Sequence, residues 1–215
     1  MINFLGEKFL GFIYFLNSFL NDLGLSVILF TFLLKLSLLP LDYFIFLEEI
    51  KIRRLKPEID KITKEYKNDV IKQAEKLTEL YKKEKFNPFL NLVLQLVPLP
   101  ILISIFFVLQ KIIKENKNIY FLGLIDLSQK NLFLFLLTLL FQFLSIFLIK
   151  TPNNQKKFQI LFLVLISIII FNFPSLFMLY WLINTILFLL ERKLFEVYNV
   201  KISIISIPKD NTDRS

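Results

Sequence analysis

A run of 33 residues without a charged side chain, Phe158 to Leu190, constrains this chain more than any other feature of its sequence. Two further runs, Phe86 to Gln110 and Asn131 to Ile149, are also free of charge, and Leu25 to Leu47 holds only two charged residues. A bilayer core is about 30 Å thick, and about 20 mostly apolar helical residues cross it. The pattern is therefore typical of an all-α, polytopic membrane protein.

The longest run is too long for one ordinary span, because 33 helical residues would extend about 50 Å. It contains one local break, Asn172-Phe173-Pro174-Ser175, and a proline disfavours helix in the residue before it. We therefore predict a helical hairpin with limbs at 158–172 and 174–190. The alternative is a single long, kinked helix that projects from the membrane.

The charge distribution assigns the two sides of the membrane. We predict five spans, and twenty Lys and Arg residues lie on one side of them against five on the other, with Lys35 inside the first span. The more basic side is cytoplasmic, which gives an N-out, C-in chain. The predicted spans are 25–47, 86–110, 131–149, 158–172 and 174–190, with an outer loop at 111–130, a cytoplasmic loop at 150–157 and a cytoplasmic tail at 191–215.

Residues 1–22 precede the first predicted span and could imitate a signal peptide. Their apolar run, Phe9 to Leu16, is not followed by a cleavage site with small residues. Asn17, Asn21 and Asp22 then interrupt the apolar pattern. We predict an amphipathic helix at the outer face of the membrane, and an additional span is the alternative.

Residues 48–85 are predicted to form a cytoplasmic antiparallel helical hairpin with coiled-coil spacing. Two apolar stripes with spacings of three and four flank the turn signal Lys67-Asn68-Asp69, and Pro57 is expected to start or kink the first helix near Glu58. Twelve basic and nine acidic residues leave little clustered positive charge, so direct nucleic-acid recognition is not expected. The hairpin is either a docking arm or a plain spacer. The two stripes are Ile52, Leu55, Ile59, Ile62 and Tyr66, and Val70, Ala74, Leu77 and Tyr81.

Lys35 lies inside the first predicted span, one helical turn after Thr31. A lysine at this depth costs about 2.5–3.5 kcal/mol on insertion scales, and no Asp or Glu of another predicted span can pair with it. The sequence therefore predicts a hydrated cavity around Lys35 inside the bundle. Many polar span residues are ordinary interhelical hydrogen-bonding groups, but they are also the candidates to line this cavity. They are Gln95, Ser104, Thr138, Gln142, Ser145, Ser167, Tyr180, Asn184 and Thr185.

Several kinds of chemistry are absent from the sequence. The chain has no Cys and no His, which excludes thiolate and His-ligated metal sites and Cys- or His-based nucleophilic catalysis. Its four glycines form no phosphate-binding loop, and no carboxylate pair lies within the spans. We predict that the protein is not an enzyme and needs no cofactor or metal.

Four groups of residues together resemble the YidC-type membrane protein insertases, a bacterial family with mitochondrial and chloroplast relatives. Their order and spacing over about 165 residues resemble the family more closely than any one group does. The groups are VILFTFLLKLSLLPL at 27–41, LKPE at 55–58 with KEYK at 64–67, LYK at 80–82 with NP at 87–88, Gln95 and Pro100, and FP at 173–174 with LYW at 179–181 and Asn184.

The resemblance implies insertion and folding of membrane proteins in the bacterial inner membrane through a hydrated, positively charged groove. It implies nascent membrane proteins with short acidic outer segments as substrates within the lipid bilayer, and the Sec translocon and the ribosome as partners. The tail at 191–215 carries five basic and four acidic residues, so ribosome binding through a polybasic tail is not expected. The residues predicted to line the substrate groove are Lys35, Thr31, Gln95, Ser104, Gln142, Ser145, Tyr180, Trp181 and Asn184.

Two positions depart from the family pattern, and two other functions stay open. The family usually has Arg where this chain has Lys35, and a small Gly where it has Leu176. A small channel or ion-coupled transporter would use Lys35 as a gating or counter-ion residue, although no internal repeat is apparent. A membrane scaffold would instead use the hairpin at 48–85 to recruit other proteins.

Overall fold

The computed structural model of the protein describes residues 2–116, 119–148 and 153–205. Within these ranges the chain forms eight α-helices and one small antiparallel sheet, so the all-α prediction is confirmed. The helices and strands are α1 (Ile2–Leu20), α2 (Leu23–Glu65), α3 (Val70–Lys83), α4 (Pro88–Leu96), α5 (Pro98–Glu115), β1 (Tyr120–Phe121), β2 (Ile125–Asp126), α6 (Leu132–Leu148), α7 (Asn153–Phe171) and α8 (Ser175–Ile205).

The length of the helices bears on how many of them cross a membrane. In the described part of the chain, three helical segments are long and apolar enough to do so: Leu23–Glu65, Pro88–Glu115 and Ser175–Asn199. α6 is apolar but has 17 residues. The count of five spans therefore stays a prediction.

α2 is longer than the sequence predicts. It runs without interruption from Leu23 to Glu65 and contains both Pro40 and Pro57, so of the two alternatives for Pro57 no new helix starts near Glu58. A proline inside a helix costs about 3 kcal/mol. Ile52 and Ile59 pack into the same apolar cluster on either side of Pro57, and this packing offsets the cost.

The helical hairpin predicted at residues 48–85 is present in the compact unit Leu38–Leu102. Leu55 of α2 packs with Leu80 of α3 and with Phe86, and these three side chains are buried. Asp69 caps the start of α3 by accepting a hydrogen bond from the Lys72 N–H at 3.0 Å. The hairpin is therefore an antiparallel pair closed by a capped turn.

The packed face of α3 differs from the predicted stripe. Val70 is 72% exposed and Ala74 is exposed, whereas Leu80 is buried. Gln73 lies on the packed face and donates from Nε2 to the Thr63 carbonyl at 3.1 Å. The face of α3 that meets α2 therefore includes Gln73, Leu80 and Tyr81, so the predicted stripe holds at Tyr81 and fails at Val70 and Ala74.

The other compact unit comprises Met1–Ser37 and Ile103–Ser215. In it, α6 packs against both α7 and α8. α1 contacts α2 through the rings of Phe9 and Phe30, whose centroids are 5.3 Å apart. The Tyr14 hydroxyl donates to the Glu115 carboxylate of α5 at 2.7 Å, and burial, with this acceptor, raises the pKa of Tyr14.

The predicted break in the longest apolar run is observed. α7 ends at Phe171 and α8 begins at Ser175, so the run forms two helices and not one. The first N–H groups of a helix have no partner within it. Here Ser175 N–H donates to the Gln129 carbonyl at 2.7 Å, and Leu176 N–H donates to the Leu127 carbonyl at 2.9 Å. Leu176 is fully buried, so the position tolerates a side chain larger than glycine.

The loop before α6, residues 119–129, contacts the start of α2 as well as the start of α8. β1 and β2 form a two-stranded hairpin whose turn places Leu122 and Gly123 at positive φ. The Asp22 carboxylate caps α2 by accepting from Leu25 N–H at 2.9 Å, and its other oxygen accepts from Leu122 N–H at 2.7 Å. Leu127 Cδ1 lies 2.9 Å from the point where a Cβ on Gly24 would be. The beginnings of α2 and α8 thus meet the same loop.

Candidate functional site

Lys35 of α2 forms an ion pair with Glu191 of α8. Lys35 Nζ lies 2.9 Å from Glu191 Oε2, and the two side chains are 15% and 8% exposed. Glu191 lies within the apolar segment Ser175–Asn199, so the expectation that no Asp or Glu of another span can pair with Lys35 is wrong. It failed because the fifth span was predicted to end at Leu190, whereas α8 continues to Ile205 and carries Glu191 on its regular helix.

The ion pair lies well along both helices from their common loop. Lys35 is twelve residues after Leu23, and Glu191 is sixteen residues after Ser175, which correspond to about 18 Å and about 24 Å of helix rise. A bilayer core is about 30 Å thick, so on both helices the pair lies more than half of such a thickness away from the loop.

A second cation, Arg192, lies near the same aromatic ring as Lys35, the ring of Phe188 in α8. Lys35 Nζ lies 5.8 Å from the centroid of the Phe188 ring, and the Arg192 guanidinium carbon lies 5.1 Å from it. A cation near an aromatic face gains about 0.5–2 kcal/mol from the ring quadrupole. Lys35 and Arg192 therefore both lie near the Phe188 ring, close to the Glu191 carboxylate.

Two further predicted residues lie on the helix faces that carry the ion pair. Side chains three or four apart share a helix face, which places Thr31 beside Lys35 and Asn184 in line with Phe188 and Glu191. Asn184 is half-buried. The Thr31 hydroxyl is buried and donates to the Val27 carbonyl of its own helix at 2.6 Å.

Polar residues of α5 and α6 from the predicted set have mostly local partners. Ser104 is fully buried, and its carbonyl oxygen lies 4.0 Å from the Cβ position of Gly6 in α1. Thr138 donates to the Leu134 carbonyl at 2.7 Å and lies 3.4 Å from the Met178 carbonyl. Ser145 donates to the carbonyl of Gln142, which is buried. These contacts are typical of helix packing.

The remaining predicted residues are spread over three helices. Tyr180 is buried and Trp181 is half-buried at the start of α8, and the Thr185 hydroxyl donates to the Trp181 carbonyl at 2.8 Å. Ser167 donates to the Leu163 carbonyl within α7. Gln95 belongs to α4, but its side chain lies outside the described part of the structure.

A cavity of about 690 Å³ lies between α6 and α7, away from the ion pair. Its lining is apolar and includes Phe135, Phe143, Val164 and Phe171, with Ser167 among them. It does not include Lys35 or Glu191. Its composition suits hydrocarbon chains and not a charged group.

The sequence interpretation missed Glu191, Phe188 and Arg192 as parts of the site. No Pro or Gly occurs between Leu176 and Ile207, and this absence of a helix breaker could have predicted that the last helix continues past Leu190. Among the residues that the structure describes, no group of three His, Cys, Asp or Glu side chains has the arrangement of a metal site.

The fold and the site define a multi-pass α-helical membrane protein with a half-buried ion pair between two of its apolar helices. A family model described as 60Kd inner membrane protein matches residues 15–201. The chain belongs to this family, which confirms the resemblance to YidC-type proteins.

Individual relatives agree with this assignment. The membrane protein insertase YidC of Buchnera aphidicola subsp. Baizongia pistaciae is 30% identical over 197 residues, which cover 89% of this chain and 37% of that protein. The insertase YidC of Francisella tularensis subsp. novicida is 31% identical over 191 residues, covering 87% of this chain and 35% of that one. This chain thus spans little more than a third of the length of these relatives.

A solved structure shares the fold. The active YidC insertase whose crystal structure resolves the first transmembrane domain matches with a TM-score of 0.65 and 25% identity, over 86% of this chain and 44% of that chain.

Proposed function

We propose that this chain inserts membrane proteins into the bacterial inner membrane and helps them fold. The observation that carries the proposal is the half-buried Lys35 between two apolar helices of a chain that belongs to this family. We further propose five spans in the N-out, C-in orientation, with the hairpin of α2 and α3 on the cytoplasmic side. The excess of basic residues on that side supports this orientation.

The proposed mechanism is electrostatic and hydrophobic, without covalent chemistry. The outer segment of a substrate must cross the membrane, and its acidic side chains lose their hydration on the way. A hydrated site with a cation supplies water and an opposite charge, and attraction between charges increases as the local dielectric falls. The apolar span of the substrate then enters lipid, and burial of apolar area contributes about 25 cal/mol per Å².

The substrates in this proposal are nascent membrane proteins with short acidic outer segments. The exposed, mixed-charge surface of the hairpin is suited to meet them first. A Sec translocon beside the chain and a translating ribosome are the partners through which such substrates would arrive.

The proposal is tested by complementing a strain depleted of its own insertase with this chain and its variants. Lys35→Arg keeps the charge and is expected to insert an acidic-tailed substrate as well as the parent does. Lys35→Ala should reduce insertion several-fold, and Lys35→Glu should reduce it further because it repels acidic segments. Lys114 is exposed on α5, and Lys114→Ala is the control that should have no effect.

Two results would contradict the proposal. Equal insertion by Lys35→Glu and Lys35→Arg would exclude the electrostatic step. Ion flux through liposomes containing the purified chain, without insertion of a substrate, would favour a channel or transporter instead.

A further inference from the structure

The pair of Lys35 and Glu191 has a consequence for which substrates the site accepts. The cation that would attract an acidic segment is already held by a carboxylate of the same chain, 156 residues away in sequence and 2.9 Å away in space. A substrate Asp or Glu offers the same chemical group as Glu191. The two carboxylates therefore compete for one ammonium group.

Stability of the fold gives little reason for this pair. Removing two charges from water costs several kcal/mol per ion, and their attraction often only balances that cost. A pair of apolar side chains of similar volume would stabilise the packing of α2 against α8 about as well. Both helices are already held at their beginnings by the loop that contains Leu127, through the Leu176 hydrogen bond and the close approach at Gly24.

We propose that Glu191 is an internal carboxylate ligand of Lys35 that an acidic substrate segment has to displace, so that Glu191 sets a minimum acidity for substrates. This inference rests on the proposed insertase function. If Lys35 is available only in the fraction of molecules in which Glu191 has moved away, the apparent affinity for a substrate carboxylate is reduced by that fraction. A segment with several acidic residues overcomes the reduction, and a segment with one does not.

The surroundings of the ion pair favour the exchange of the Glu191 carboxylate for a substrate carboxylate at Lys35. Phe188 lies near both Lys35 and Arg192, so two cations flank one ring close to the Glu191 carboxylate. The Arg192 guanidinium therefore adds a second positive charge near Lys35, which attracts an entering carboxylate.

The test uses the full chain in liposomes and single-span substrates whose short outer segments carry none, one, two or four Asp residues. Glu191→Gln keeps the shape of the side chain and removes its charge. It is expected to raise insertion of the one-Asp substrate several-fold, with little change for the four-Asp and the Asp-free substrates. Glu191→Asp keeps the charge on a shorter stem and should give an intermediate increase. Glu196→Gln, on the same helix, is the matched control and should change nothing.

The outcomes separate this inference from the proposed function. If Glu191→Gln lowers insertion of every substrate equally, or leaves its dependence on Asp number unchanged, Glu191 is only a structural partner and the inference is wrong. The Glu191→Asp series decides the question even if Glu191→Gln folds poorly, because an unchanged dependence on Asp number would also overturn the inference. If the parent chain inserts no substrate at all, the proposed function itself fails.

Discussion

Gly24 is a residue at which one added carbon atom has to displace its neighbours. A Cβ built there would lie 2.7 Å from Phe121 Cδ2 and 2.9 Å from Leu127 Cδ1, and Leu127 is fully buried. Overpacking of this kind costs about 1–3 kcal/mol, which exceeds the gain of up to about 1 kcal/mol when Ala replaces Gly in a helix. Gly24→Ala is therefore expected to lower the midpoint of thermal unfolding in detergent.

Gly11 provides the matched control for that substitution. It also lies in a helix, α1, but no neighbouring atom lies within 4 Å of its Cβ position. Gly11→Ala is therefore expected to stabilise the protein by about 0.5–1 kcal/mol. A rise in the unfolding midpoint for both variants would show that the loop does not approach α2 as closely as described.

Single residues also show what the sequence can and cannot predict about the site. Lys35 could be identified because a charge inside an apolar run is costly and therefore conspicuous. Glu191 could not, because it follows the apolar run directly and looks like the first residue of a solvated tail. Its role depends on a packing distance between two helices, and no local pattern encodes that distance.

At the scale of one helix, the face that α3 presents to α2 is the feature to test. Leu80 is buried in the hairpin, whereas Ile71 of the same helix is 82% exposed. Leu80→Ala leaves a cavity and should cost about 2–5 kcal/mol, whereas Ile71→Ala should stay within about 0.5 kcal/mol. Hydrogen exchange of the α3 amides in the full chain measures this, and only Leu80→Ala should accelerate it. Equal acceleration by both variants would contradict the observed register.

The predicted and observed faces of α3 explain why the sequence left this register open. The predicted stripe and the observed face overlap, because both include Tyr81, which packs against Leu55, Leu80 and Phe86. Periodicity therefore finds the helix but does not choose between two overlapping faces. The choice is made by packing against Leu55 and by the hydrogen bond from Gln73 to Thr63, which are contacts between elements.

For the whole molecule, long-range charge patterning predicted more than local motifs did. The charge-free runs located the apolar helices, and the Asn172-Phe173-Pro174 break separated α7 from α8 as expected. The loop from Ile119 to Gln129 was predicted only as a connection. This loop caps the start of α8 through backbone groups, namely the Leu127 and Gln129 carbonyls. The hydrogen-bond partners of backbone carbonyls cannot be predicted from the types of the side chains.

Orientation in the membrane is the whole-molecule prediction that the basic residues support, and the chain is well suited to test it because it contains no cysteine. Leu124 at the tip of the β-hairpin is 83% exposed, and Ile71 near the turn between α2 and α3 is 82% exposed. In intact spheroplasts, a membrane-impermeant maleimide is expected to label Leu124→Cys and to reach Ile71→Cys only after lysis. Labelling of Ile71→Cys before lysis would contradict the N-out, C-in orientation. The orientation rests on the rule that loops rich in Lys and Arg stay in the cytoplasm. Labelling of Ile71→Cys before lysis would show that the basic hairpin at 48–85 does not follow this rule.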